Sequence, residues 1–268
     1  MPVDERSAPV ALPRLLVAEA ASFPGPSCIV VVRSAAEADA LAAAPREHIA
    51  WLEVPVSLID HPTLAEHRLD VMLADPRSEA ARLYTLARLR SGAPTRVTIA
   101  TLEGVARAGQ VCLALDLPVR LLLKQPSTAA LAELEILLER YLHDPRATAP
   151  MEPFNGALER LIHGAPTTLW SVLEYDPALY PSCVDDDLPR PHDAGFVQAH
   201  LARCLDEGAE CDACALRNWC QGWFKWPDPS YGCAGVRALF DQVATAARQL
   251  ARDAAELNEA PVAEGDEP

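Results

Sequence analysis

The sequence predicts an α/β protein: a small parallel sheet or a degenerate partial (β/α) barrel, then a loop-rich cysteine-ligated segment and a C-terminal helix. Three observations carry this. Short β-branched runs alternate with helix-like stretches through the first 144 residues. That alternation is the pattern of a parallel sheet with helical crossovers. Cysteines crowd into residues 204–233. An amphipathic stretch, AGVRALFDQVATAARQLARDAAEL, follows Cys233.

The opening 26 residues hold Pro2, Pro9, Pro13, Pro24 and Pro26 with little periodicity and read as an extended arm. CIVVVR (Cys28–Arg33) is a β-branched run suited to a buried strand. Ser34 followed by Glu37 forms a capping box, which opens an Ala-rich helix running to about Ala44. Ile49–Ile59 reads as a second strand that Pro55 ends or bends. Residues 62–91 read as one or two helices with a break near Asp75-Pro76. Thr95–Thr101 gives a third strand, Leu102–Leu115 a helix with Cys112 on its core face, and Val119–Lys124 a fourth strand. Ser127 or Thr128 caps a long helix whose Leu131, Leu134, Leu138 and Leu142 recur at helical spacing.

Pro145 and Pro150 break regular structure, which makes Asp144–Met151 the candidate boundary between two units. The expected organisation is an α/β domain over 27–144, a metal-binding domain over 151–257 and a disordered acidic tail over 258–268. Pro153–Gly164 reads as a short helix stopped by Gly164.

Composition removes several classes of function. The chain has 268 residues and 50% hydrophobic content, enough for a sizeable core. Its net charge of −15 leaves no basic stripe to neutralise phosphates, so nucleic acid is not expected as a partner. No run of eighteen apolar residues suggests a membrane span. The N-terminus lacks the basic, apolar and small-residue order of a secretion signal, so the expected location is cytoplasmic. Disulfides do not persist in that compartment, which disfavours a disulfide framework.

The cysteines are then the chemistry. Cys211, Cys214 and Cys220 follow Cys204 in the spacing C-x6-C-x2-C-x5-C, and twelve residues then separate Cys220 from Cys233. Two thiolates at C-x2-C reach one metal because the chain turns tightly between them. Soft thiolates select zinc or iron–sulfur clusters. Structural zinc ribbons commonly use two such knuckles, and this chain has one plus single cysteines. The expected ligands are Cys211, Cys214, Cys220 and Cys233, with Cys204 and Cys183 as alternatives. Cys28 and Cys112 sit in apolar runs and read as core packing.

The run CDACALRNWCQGW, completed by Cys233, resembles the SPASM domain, the C-terminal auxiliary-cluster domain of radical SAM peptide-modifying enzymes. Residue by residue, the resemblance implies that Cys211, Cys214, Cys220 and Cys233 hold an auxiliary [4Fe-4S] cluster. The family's cysteine after a further x3 falls at Phe224, so a second cluster is lost or altered. Of the family's upstream pair, Cys183 and Gly195 fit and Cys204 lies too far beyond Gly195. The C-x3-C-x2-C loop that cleaves S-adenosylmethionine is absent, since only Cys28 and Cys112 precede residue 183. The resemblance covers the last third of the chain. It implies an accessory protein that serves a radical SAM enzyme or binds a precursor peptide. The alternatives are a redox-silent structural Zn2+ protein and a divergent enzyme with an open cluster position.

Other features have simpler readings. Trp219, Trp223, Phe224, Trp226 and Tyr231 would shield the metal site, or form a gripping surface. His192 and His200 are close enough in sequence to replace a cysteine ligand, although four thiolates already suffice. Asp185, Asp186 and Asp187 read as a solvated loop. No catalytic residue is assigned from the sequence.

Overall fold

A computed structural model describes residues 14–20, 28–41, 48–89, 94–172, 195–208 and 210–259. Cys183, Asp185–Asp187, His192 and the acidic tail lie outside the described residues.

Among the described residues, seven parallel strands form one sheet: β1 (Arg14–Leu16), β2 (Cys28–Val31), β3 (Ile49–Pro55), β4 (Leu69–Leu73), β5 (Thr95–Ala100), β6 (Val119–Leu122) and β7 (Met151–Glu152). Each strand pairs with the next in sequence, so the order never reverses. Doubly wound folds reverse and open a crevice at the reversal. An unbroken order is that of a (β/α) barrel; among the described residues, β1 and β7 stand at the ends of the order.

The helices follow local rules. Ser34 Oγ accepts from the N–H of Glu37 and starts α2 (Ala35–Ala40). Glu37 reaches back to the N–H of Arg33, one residue before the cap. Ser127 does the same for α6 (Thr128–His143) through the N–H of Ala130. Gly164, at φ 69°, stops α7 (Phe154–His163). The N-terminus of α5 (Val105–Ala114) has no cap from its own side chains. Glu133 of α6 supplies it, accepting from the N–H groups of Gly104 and Ala106 at 2.9–3.1 Å. Gly109 lets α5 approach α6, because a Cβ there would meet Leu137 Cδ2 at 2.4 Å.

Three corrections to the expected organisation follow. Residues 14–20 are not an extended arm: they form β1 and the short α1 (Val17–Ala20). Residues 69–73 are not helical: LDVML is β4, with Leu69, Val71 and Leu73 alternating into the core. Asp75 then caps α3 (Pro76–Glu79), and α4 (Leu83–Leu89) follows. The sheet also runs past Asp144–Met151, since β7 pairs with β6 through Met151 and Glu152. Pro145 and Pro150 mark a connection within the sheet rather than a break between sheets.

Strand alternation gives the sheet two unlike faces. Leu52, Val54, Val71, Val97, Ile99 and Leu121 are fully buried with Cys112, Leu134 and Leu137 of the helices in one core. Fully burying one such side chain contributes about 1.5–3 kcal/mol. Glu53, Asp70 and Arg96 stand side by side in register on the other face, as do Thr98, Arg120 and Glu152. Asp70 is 0% exposed. It accepts from Arg120 Nη2 at 2.6 Å, from Arg96 Nε at 3.0 Å and from Thr98 Oγ1 at 2.5 Å. Arg120 Nε donates to Thr98 Oγ1 at 2.9 Å, and the Arg96 guanidinium lies 4.7 Å from the Trp51 ring. Burial alone would raise the Asp70 pKa, but Arg120, Arg96 and Thr98 together hold it below the ordinary carboxylate value.

Replacing Arg120 with Met should leave Asp70 buried beside fewer cations and destabilise the fold by about 3–5 kcal/mol, read as a lower urea midpoint. The depressed Asp70 pKa also fixes the direction of acid sensitivity. The unfolded chain takes up the proton more readily, so this stability is present above about pH 3.9 and is lost as pH falls below it. Acid titration by circular dichroism should show Asp70→Asn protein losing the part of the low-pH transition that the native carboxylate creates.

Candidate metal centre

The cysteine segment is anchored to the C-terminal end of β6. The Trp223 indole N–H donates to the carbonyl of Leu123. Gln125 Nε2 donates to the carbonyls of Phe224 at 3.1 Å and Asp228 at 2.7 Å, and the Tyr231 hydroxyl donates to the carbonyl of Pro126 at 2.8 Å. Three residues after β6, Leu123, Gln125 and Pro126, thus hold both arms of the loop between Cys220 and Cys233.

The other side of the segment is held through one turn. α10 (Arg217–Cys220) ends at Gln221, φ 50°, and Gly222, φ 79°. Trp170 Nε1, from α8 (Leu169–Val172), donates to the carbonyl of Gln221 at 3.2 Å. His200 Nε2, from α9 (Phe196–Asp206), donates to the carbonyl of Gly222 at 2.9 Å. Gly222 needs its missing side chain both for its left-handed backbone and for space: a Cβ would meet His200 Cδ2 at 3.0 Å.

Cys211, Cys214, Cys220 and Cys233 line one small cavity of about 20 Å³, with Leu216, Phe224 and Val236 as its apolar walls. That is room for about one water-sized body. Among the described residues, no group of three or more His, Cys, Asp or Glu side chains is arranged to hold a metal ion as it stands. The four thiols therefore share a cavity without being closed into a ligand sphere. Burial pushes the thiols of Cys220 and Cys233 up to about 12, and it raises that of Cys211 as well. Working against this, the backbone N–H groups of Phe224, Gly222 and Trp223 point at Cys220. Lys225 favours the charged forms of Cys211 and Cys233.

The charged residues around the cavity are ordered by Glu210. Its Oε1 accepts from the N–H of Cys233 at 2.8 Å and from Lys225 Nζ at 3.1 Å. Lys225 Nζ also donates to the carbonyl of Tyr231 at 2.5 Å and is only 5% exposed. Burial disfavours its charge, but Glu210 and the nearby thiols of Cys233 and Cys211 raise its pKa overall.

In comparisons with family models, with curated proteins and with solved structures, no match is found. The site is therefore judged on its own geometry.

The structure sorts the sequence-predicted residues. The four expected ligands line a common cavity. Cys204 is buried behind them, with its Sγ 3.7 Å from His200 Nε2, and it does not line that cavity. It remains close enough to Cys211 to raise its pKa. His200 is occupied: Nε2 donates to Gly222, and Nδ1 accepts from Arg203 Nη2 at 3.1 Å. Burial lowers its pKa, consistent with a neutral ring serving as a strut. Cys28 and Cys112 are fully buried on β2 and α5, away from the cluster. Trp219, Trp223, Phe224 and Trp226 are buried, with Trp170 and Trp223 edge-on at 4.7 Å and Trp219 and Phe240 likewise. They form the segment's interior rather than an exposed gripping surface. Sequence reading missed Glu210 and Lys225, which carry no motif and matter only because the fold brings them together.

Thiol alkylation in metal-free protein at neutral pH should follow this arrangement. Among the described cysteines, Cys214, partly exposed, should be modified first, and Cys112, buried with its pKa near 12, only after unfolding. Site-resolved mass spectrometry over time reads the order, and early modification of Cys112 would refute it.

Proposed function

We propose that Cys211, Cys214, Cys220 and Cys233 hold a thiolate-ligated metal centre, a [4Fe-4S] cluster, in a SPASM-like accessory protein. The observation that supports this is their convergence on one cavity, although twenty-one residues separate the first from the last. The donor set fits: four soft thiols, apolar walls, and backbone N–H groups turned towards Cys220. A bound cluster would supply a one-electron redox function or a structural tie. The chain's own residues would fix its place and exclude water. The partner class, a radical SAM enzyme or its precursor peptide, rests on the cysteine spacing and on the missing C-x3-C-x2-C loop.

One observation favours a second reading. The same small cavity suits a single ion, and four thiolates around Zn2+ make a closed, redox-silent site that stabilises the segment. Protein purified anaerobically and analysed for iron, sulfide and zinc separates the two. The cluster reading expects about four irons and four sulfides per chain with broad visible absorption. The zinc reading expects about one zinc and no visible band. On either, Ser at 211, 214, 220 or 233 should abolish stoichiometric metal, whereas Cys112→Ala should retain it. Metal that persists in all four Ser variants would sink both.

A further inference from the structure

The charges around the thiol cavity limit what it can hold. Lys225, Arg217 and Arg237 line it against one carboxylate, Glu210, and with Arg217 paired to Asp212 outside the lining a surplus of one positive charge remains. Four thiolates around a core of charge 2+ carry a net charge of two minus, whether the core is one divalent ion or an oxidised four-iron cluster. We propose that this positive surround matches in sign the negative charge of a four-thiolate centre with a dicationic core, and that Lys225 is the positioning residue that makes the match. This rests on the metal-centre reading and specifies the class of core.

Lys225 has that role because it alone of the three cations is screened from water. Its side chain is 6% exposed, against 39% for Arg217 and 43% for Arg237. Exposed charges are weakened by solvent and salt, and buried ones are not. Arg217 is further occupied by Asp212 at 3.3 Å. The Lys225 stem emerges from the single turn Trp223–Lys225, beside the backbone N–H groups turned to Cys220. Glu210 holds its ammonium within electrostatic reach of Cys211 and Cys233, and the same carboxylate fixes the Cys233 backbone. The ammonium is held by one carboxylate and one carbonyl, and added negative charge beside it would interact strongly in this screened setting. Four thiolates would supply it.

Cobalt(II) is the probe, since thiolate-to-cobalt absorption reports sulfur ligation of a divalent ion in the full-length protein. Under anaerobic conditions Lys225→Met should weaken cobalt binding about 10–100-fold, the range found for partners behind metal ligands. Lys225→Arg should restore most of the affinity. Glu210→Gln keeps an acceptor for the Cys233 N–H but removes a negative charge, so it should bind cobalt as tightly as the native chain or more so. A purely structural role predicts loss in both Lys225→Met and Glu210→Gln. Should Lys225→Met not fold, the Glu210→Gln affinity still reads the charge balance. Equal affinity in native and Lys225→Met protein, or parallel losses in Lys225→Met and Glu210→Gln, overturns the charge match and leaves the thiol centre standing. A native chain that shows no thiolate-to-cobalt band overturns both.

Discussion

Everything about the thiol cavity depends on the backbone that leaves β6. Leu123, Gln125 and Pro126 present two carbonyls and one amide side chain, and Trp223, Phe224, Asp228 and Tyr231 are fastened to them. These bonds span about a hundred residues of sequence. A loop of twelve residues between Cys220 and Cys233 has too little core to hold itself. It borrows rigidity from a parallel strand whose position is fixed by neighbours on both sides. Parallel sheets place their sites at the C-terminal ends of strands for this reason: the strand is rigid and the connection after it is free to vary.

The helix after Cys233 closes the arrangement. α11 (Ala234–Glu259) begins one residue past the last ligand candidate and packs against α6 and α7. Phe240 lies 5.7 Å from Phe154 of α7 and 4.7 Å from Trp219 of α10. One aromatic cluster therefore ties the sheet's outer helices to the cysteine segment. Gly235 allows this approach, since a Cβ there would sit 2.4 Å from Leu131 of α6. The cavity is held from β6 on one side and from α11 on the other.

Much of this was legible in the sequence, and the gaps have physical causes. Capping by Ser34 and Ser127, the stop at Gly164 and the end of β3 at Pro55 are local events, so a local reading finds them. β4 was missed because Asp70 interrupts its apolar run. A buried carboxylate makes sense only with Arg96 and Arg120, which arrive from other strands. β1 and β7 have three and two residues, too short for any periodicity to show. The four cysteines were readable from spacing. Glu210 and Lys225 were not, because their relation to Cys233 exists only after the loop has folded back.

The two polar centres of the molecule follow one rule in different degrees. On the sheet, Asp70 meets Arg96, Arg120 and Thr98, and the low dielectric that makes an unpaired carboxylate costly makes these contacts strong. In the thiol segment, Lys225 has one carboxylate and one carbonyl, set beside Cys211, Cys220 and Cys233, whose thiol pKa values burial raises. The first network is complete within the protein. The second is short of negative charge, and the cysteines are the groups able to provide it once their protons leave. Metal binding releases those protons. A thiophilic cation would therefore bring negative charge to a positively charged surround, and that gain is what would offset the loss of the thiol protons.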